Sequence, residues 1–350
     1  MITTMTKKKV SSREITQPAN IHDVAARAGV AISSISRVLS GHPDVSDRMR
    51  AKVEKAAAEL GYEPDFSAQS LRKGATKTIG FIVRDISNPF FGVIAQKCEQ
   101  ELRKAGYAML VMNSDGDSET ESDNLRILRR RKVDGLIASL VAEDIPSLKA
   151  ALLNLKAPMV LLDREVKGLD ASAIIGNHHK GVYDAVTDLI RLGHRRIAFI
   201  SGSTRVFITR DRLRGFNDAF KNAGIEIPSD LISLGNFDAE FGEAETLRLF
   251  SGKNAPTALL AGGIGSTSGA MRACKSLNIR PGIDIGFVAI DEWPLFDVFG
   301  QRFSSVYRDP AEIGLVSAQI ILSSLKGEKP QSHFVETRYI ARESSAGGLA

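Results

Sequence analysis

The chain has 350 residues, of which 43% are hydrophobic, enough to bury more than one core, so two or more domains are expected. Its longest apolar runs, such as Gly80 to Val83 and Pro158 to Leu162, are of strand length, which excludes a bilayer span. Residues 1 to 10 hold three lysines but no apolar signal core, so export is not expected. The net charge of +5 is concentrated at the front: residues 1 to 75 carry 12 Lys and Arg against 8 Asp and Glu, and residues 76 to 350 carry 34 against 33.

A basic front on a nearly neutral body suits either a module that meets a polyanion or a solvated basic tail. Cys98 and Cys274 lie far apart without metal-type spacing and read as reduced thiols of a cytoplasmic protein. Residues 1–18 are polar and without periodicity, and are expected to be disordered. A first helix follows, with Asn20 as N-cap, Asp23 at its third position and Ile21, Val24, Ala25 and Ala28 at helical spacing until Gly29. The next begins near Ala31. Ile35, Val38 and Leu39 would face the first helix, leaving Ile32, Ser33, Ser36 and Arg37 outward. A third helix has Ser46 as N-cap, Met49, Val53, Ala56 and Leu60 on one face, and Gly61 past its end. Two short helices around a glycine turn form a helix-turn-helix pattern, whose second helix suits a DNA major groove.

From about Thr76, strand and helix signals alternate. Strands are expected at Ile79 to Arg84, Ala108 to Asn113, Gly135 to Ser139 and Met159 to Asp163, with helices near Phe91 to Ala105, Glu119 to Lys132 and Ile145 to Leu155. A second set runs through strands at Ala173 to Gly176, Arg196 to Ser201, Leu231 to Leu234, Ala258 to Ala261 and Asp284 to Ala289. Its helices lie near Gly181 to Leu192, Leu213 to Ala223, Phe241 to Phe250 and Thr267 to Leu277. The pattern implies an α/β body of two similar subdomains, each a doubly wound parallel sheet covered by helices, with a cleft between. A strand near Ser305 to Tyr307 and a helix near Pro310 to Leu325 are expected to cross back to the first subdomain.

The motifs Asp23-Val-Ala-x-x-Ala-Gly-Val, Ser36-Arg-Val-Leu-Ser-Gly41 and Leu60-Gly-Tyr-x-Pro64 resemble the headpiece of the lactose-repressor/galactose-repressor family of bacterial transcription regulators. The resemblance continues through Asn88-Pro-Phe-Phe, Val133-Asp-Gly-Leu-Ile, Leu162-Asp-Arg164, Gly193-His-Arg-Arg-Ile and Arg212-x-x-Gly-Phe216 to Arg342-Glu-Ser-Ser, covering nearly all of the chain after residue 19. It implies a sequence-specific regulator, foremost a repressor of a carbohydrate or sugar-acid operon. Its implied domains are a tail at 1–18, a three-helix DNA-binding domain at 19–64, a hinge at 65–75, and a periplasmic-binding-protein-like core at 76–343 ahead of a tail at 344–350. Within the core, 76–166 with 307–328 would form one subdomain and 167–306 with 329–343 the other.

Carried over position by position, the resemblance assigns Ile32, Ser33, Ser36 and Arg37 to the major groove. Arg37 then either reads a guanine edge or clamps a phosphate. Ala31 stands where the family commonly has a small hydroxyl residue, so a helix cap is missing. The hinge assigns Ala68 and Leu71 to the minor groove, Leu71 as a wedge; the alternative is a linker with Leu71 packed on the body.

The resemblance places Phe90, Phe91, Arg164, Arg212, Phe237, Ile264 and Asp291 in an effector cleft. Core packing for the three phenylalanines and a structural salt bridge for Arg212 are the alternatives. Gly176 and Ile264 occupy positions where relatives often carry acids, which would make the cleft more positive, and Ser266 and Thr267 open a helix after glycines, where backbone N–H groups favour anions. An acidic or phosphorylated sugar is therefore one expected effector, and a neutral ligand the other.

No GxxxxGK[ST] loop, GxSxG elbow or dinucleotide glycine spacing is present, so no catalytic residue or cofactor is expected. The adjacent His178 and His179 make a poor metal pair and read as solvated surface residues. A solute receptor without catalysis and a sugar-processing enzyme remain the alternative classes. One headpiece contacts few bases, so a homodimer on a near-palindromic double-stranded DNA operator is expected, with no membrane partner. The tail after Glu343 lacks the apolar heptads of a tetramerising coiled coil.

Overall fold

The computed structural model describes residues 19–40, 42–63, 74–293 and 303–348. The expected disordered tail at 1–18 and hinge residues Ala68 and Leu71 lie outside them. The chain divides into two compact units, parting after Gly74.

The first unit is built from local signals. Helix α1 (Ile21–Ala28) opens on a reciprocal capping box between Asn20 and Asp23 and closes on Gly29 at φ 57°, a left-handed turn that glycine adopts without strain. Helix α2 (Ile32–Leu39) follows, and α3 (Asp47–Glu59) starts from Ser46, whose hydroxyl accepts from the Met49 N–H. Val24, Ala28, Ile35, Val38, Val53 and Ala56 close one small core. Arg27 donates to Glu59 at 2.7 Å across its edge.

The second unit contains two six-stranded sheets. The first comprises β1 (Thr78–Val83), β2 (Ala108–Asn113), β3 (Gly135–Ala138), β4 (Met159–Leu162), β5 (Ser172–Gly176) and β11 (Ser332–Val335), in the order β11-β5-β4-β3-β1-β2 and parallel throughout. The second comprises β6 (Ile197–Gly202), β7 (Ile232–Gly235), β8 (Ala258–Ala261), β9 (Gly286–Ile290), β10 (Ser304–Tyr307) and β12 (Arg338–Ile340), in the order β12-β10-β9-β8-β6-β7, with only β12 antiparallel. Central strands such as β3, β4, β6 and β8 are buried at every residue, as parallel strands covered on both faces must be.

Helices α4 (Pro89–Lys104), α5 (Ser118–Arg130), α6 (Pro146–Leu155) and α11 (Pro310–Ser324) cover the first sheet. Helices α7 (His178–Leu192), α8 (Phe207–Asn222), α9 (Ala239–Phe250) and α10 (Ile264–Ser276) cover the second. In each sheet the winding reverses between the first strand and the third, β1/β3 and β6/β8, which opens a crevice at the carboxyl ends of those strands.

Three assignments differ from the sequence expectation. Strand Ser172–Gly176, grouped with the second set, pairs with β4 through Val160↔Ser172 and belongs to the first sheet. Residues 329–343, expected wholly in the second subdomain, divide: Ser332–Val335 extends the first sheet beside β5, and Arg338–Ile340 extends the second beside β10. The strand at Ser304–Tyr307 stays in the second sheet and only the following helix returns to the first. Short strands state their apolar character in sequence but not their partners.

Residues 344–346, expected in a tail, pack against the second lobe. A 3-10 turn at Glu343–Ala346 buries Ser344 and Ser345; the Ser344 hydroxyl donates to the Phe287 carbonyl at 2.7 Å, and the His194 ring meets the Ser345 carbonyl at 3.0 Å.

Candidate DNA-reading helix and effector cleft

Helix α2 exposes Ile32, Ser33 and Arg37 and leaves Ser36 half-buried. Ile32 keeps 40% of its surface, uncommon for a residue that could pack into a three-helix core. Ala31 occupies the N-cap and supplies no side-chain hydrogen bond. The Arg37 guanidinium lies 3.9 Å from Asp44, an exposed pair too loose to hold it away from another anion.

In the second unit a cavity of about 370 Å³ lies where the strand ends of the two sheets face each other. It brings together all seven residues expected there: Phe90, Phe91, Arg164, Arg212, Phe237, Ile264 and Asp291. Phe90 and Phe91 open α4 under the Asn88 cap, with ring centroids 5.9 Å apart and edge-on. Phe90 is buried in the apolar core of the first lobe as well as lining the cavity, so packing and lining coincide there. Phe237 approaches the Gly202 backbone so closely that a Cβ on that glycine would sit 2.0 Å from its ring. Ile264 opens α10 in the second lobe yet packs into the buried cluster of the first lobe with Phe90 and Ile94, spanning the cleft.

The cavity floor is charged. Asp163 and Asp291, each just past a strand end, adopt left-handed backbones at φ 50° and 66°, uncommon for non-glycine residues. Arg308, which the sequence reading did not single out, lies between them: its Nε donates to Asp291 Oδ1 at 2.9 Å, and its Nη1 is paired with Asp163 Oδ2. The signal available in sequence was an arginine one residue past a strand end, the position that Asp291 also holds relative to β9. Burial alone would raise both carboxyls, but the adjoining Arg308 holds Asp163 well below the usual range, with His178 helping, and holds Asp291 low with Arg212 helping. Those two carboxylates in turn overcome burial at Arg308 and raise its pKa.

Arg164 and Arg212 differ from Arg308. Both are buried, which brings their pKa values down to about 10 against the opposing pull of nearby acids. Arg164 donates to the Asp163 carbonyl at 2.9 Å, and Arg212 donates through Nη1 to the Gly262 carbonyl at 2.9 Å. The Arg212 Nε has no hydrogen-bond partner among the described residues. Among the described residues no carboxylate oxygen lies within 4.0 Å of either guanidinium, so the structural salt bridge considered for Arg212 is not formed. Behind Arg164 the fully buried Glu121 accepts the Val141 N–H, and burial pushes its carboxyl up to about 7.

Two sequence expectations are corrected here. Gly176 does not line the large cavity: a Cβ there would lie 3.0 Å from the His178 ring and 3.1 Å from the Thr337 hydroxyl, so that space is already filled. The histidines are not solvated surface residues. His178 is wholly buried in the first turn of α7 and meets Asp163 at 2.9 Å, while the half-buried His179 meets Asp218 at 2.8 Å. The helix starts at His178 under an Asn177 cap, one turn before the expected Gly181, and this turns His178 inward. Helix α10 likewise begins at Ile264, so Ser266 and Thr267 lie within its first turn, and both hydroxyls are buried without partners among the described residues.

Residues 20–65 match the family model described as bacterial regulatory proteins of the lacI family, and residues 76–333 match periplasmic binding proteins and the sugar binding domain of the LacI family. The chain belongs to the LacI family. It is a DNA-binding transcriptional regulator and not an enzyme. The chain is 30% identical to the ribose operon repressor of Haemophilus influenzae, over 93% of this chain and 98% of that one. It is also 30% identical to the repressor PurR of Proteus mirabilis, over 94% and 98%. The solved lac repressor dimer bound to operator and the anti-inducer ONPF superposes with a TM-score of 0.81 at 25% identity, covering 94% of this chain and 99% of that one. This LacI-family chain contains, among its described residues, no helix long and apolar enough to cross a membrane.

Proposed function

We propose that this LacI-family regulator acts in the cytoplasm as a homodimer on a near-palindromic operator, and that an anionic sugar derivative bound in the cleft changes its operator affinity. In this reading Ile32, Ser33, Ser36 and Arg37 meet the major groove, Ala68 and Leu71 meet the minor groove, and the seven cleft residues hold the effector. Support for the DNA face comes from the outward side chains of α2, whose types match base edges: a forked cation, hydroxyls, and an apolar group for a thymine methyl.

The observation that carries the effector class is the buried Arg212 guanidinium with an unpartnered Nε at the cavity wall. A buried guanidinium nitrogen without a hydrogen-bond partner is costly, and a carboxylate or phosphate oxygen there would form charge-assisted hydrogen bonds. Residues Ile264 and Gly265, at the amino end of α10, also line the cavity and present backbone N–H groups on the same side.

Titration calorimetry of the full chain with D-gluconate, D-glucose 6-phosphate, D-glucose and D-ribose tests the effector class. At least one anion is expected to bind ten or more times tighter than either neutral sugar and to change operator retention in a gel shift. Tight binding of a neutral sugar with no response to either anion would sink the anionic reading while leaving the regulator intact.

A further inference from the structure

The two buried carboxylates of the cleft are engaged by the chain itself. Asp163 Oδ1 accepts from the Gly176 N–H at 2.9 Å and lies 2.9 Å from His178 Nε2, and its Oδ2 is paired with Arg308 Nη1. Asp291 Oδ1 takes Arg308 Nε at 2.9 Å, and its Oδ2 takes Arg308 Nη2 at 3.3 Å. All four oxygens therefore have an internal donor. The Phe90 ring lies 4.2 Å from the same guanidinium and fixes its plane from the side of the first lobe. Asp163 ends β4 in the first sheet and Asp291 ends β9 in the second, so one side chain joins carboxylates from both lobes.

A cleft carboxylate selects neutral sugars by accepting from their hydroxyls, and it can do so only with lone pairs to spare. Here three donors engage Asp163 and two engage Asp291, so Arg308 competes with a ligand hydroxyl at both, whereas Arg164 and Arg212 have no carboxylate oxygen within 4.0 Å among the described residues. We propose that Arg308 is a specificity-determining residue of this cleft: by holding Asp163 and Asp291 it weakens both as hydroxyl acceptors and leaves Arg164 and Arg212 to favour an anionic effector over its neutral parent sugar. This rests on the anionic reading of the cleft. Charge and geometry contribute separately, because lysine in place of Arg308 would keep the positive charge but could not fork across the two acids.

The test measures the ratio of D-gluconate to D-glucose affinity, and of D-glucose 6-phosphate to D-glucose affinity, by calorimetry on the full-length wild type, Arg308→Gln, Arg308→Lys and Asp291→Asn. The two anions separate a carboxylate from a phosphate effector. Arg308→Gln is expected to cut the preference for the anion at least tenfold, in part by strengthening glucose binding, and Arg308→Lys to keep the charge but lose part of the preference, because an ammonium cannot fork across both acids. A merely structural Arg308 would weaken anion and sugar together and leave the ratio unchanged, which overturns the proposal. Should the Gln variant not fold, Asp291→Asn decides: glucose affinity is expected to hold while anion affinity rises, and a tenfold loss of glucose binding shows that Asp291 accepts ligand hydroxyls and overturns it equally. A wild type that binds glucose but neither anion defeats the anionic reading and this proposal with it. A wild-type anion preference that survives Arg308→Gln defeats the role of Arg308 alone.

Discussion

The headpiece and the cleft place functional side chains in opposite ways. In the headpiece, eight consecutive residues of α2 settle both the core face and the exposed face, because helical periodicity alone sends Ile35 and Val38 inward and Ile32, Ser33 and Arg37 outward. In the cleft, Asp163, Arg212, Asp291 and Arg308 come from four different elements across nearly 150 positions and meet only because strand ends converge. Local order makes an exposed surface that tolerates contact with water. Convergence makes a dry one, where each charge must be matched or left wanting, and where titration is coupled to stability.

The largest effect expected from that difference concerns Glu121. Its carboxyl rises from 4.5 to about 7 because it is buried, against the Val141 N–H and Arg164 that favour the charged form. At about 1.4 kcal/mol for each tenfold change in the proton equilibrium, keeping it ionised above pH 7 costs about 3 kcal/mol. The sign follows from a folded value above the unfolded one. The folded state binds the extra proton, so stability is gained as pH falls from about 7 toward 4.5 and is lost as pH rises through that window. Chemical denaturation of wild type and Glu121→Gln at pH 5 and pH 8 should show the Gln variant gaining on the wild type at the higher pH. A constant difference between the two would mean that the cleft wall is as solvated as the headpiece surface.

A smaller effect, about 1 to 3 kcal/mol in operator binding, is expected from Arg37→Ala if Arg37 forks onto a guanine. Sequence discrimination should fall more than the salt slope does. Gel shifts against operator and scrambled DNA at several salt concentrations separate the two roles: equal weakening on both DNAs, with a slope reduced by about one, marks a phosphate clamp instead. Effector affinity should not change, which keeps the comparison between the two regions clean.

How far each region can be read from sequence follows the same division. The Asn20 capping box, the Gly29 turn and the Ser46 cap are all three-residue relations, and each is present where periodicity and cap chemistry place it. In the second unit, strand and helix succession was legible from alternating apolar runs, but pairing was not: β5 is an apolar five-residue strand that fits either sheet until its register beside Val160 is seen. The cleft residues Arg164, Arg212 and Asp291 were legible through family motifs. Arg308 and the buried state of His178 were not, because a cation's function here depends on which acids reach it from other strands. Gly176 shows the cost of reading one position by itself, since the space it vacates is taken by a side chain two residues on.

The smallest expected effect returns to the helix that local rules describe best. Ala31 leaves α2 without a side-chain acceptor for its first N–H groups, while Asn20 and Ser46 supply one for the helices on either side. Its backbone is already extended at φ −69° and ψ 149°, the conformation a capping serine adopts, so Ala31→Ser demands no rearrangement. A gain of about 1 kcal/mol is expected, read as slower amide exchange in Ser33 to Ile35 relative to the same amides in the wild type. If protection there is unchanged, the N–H groups already have partners in water that a hydroxyl cannot better. The exposed region then resists local improvement for the same reason that it tolerates exposure: its polar groups meet solvent, whereas buried cleft groups such as the Arg212 Nε have no partner among the described residues.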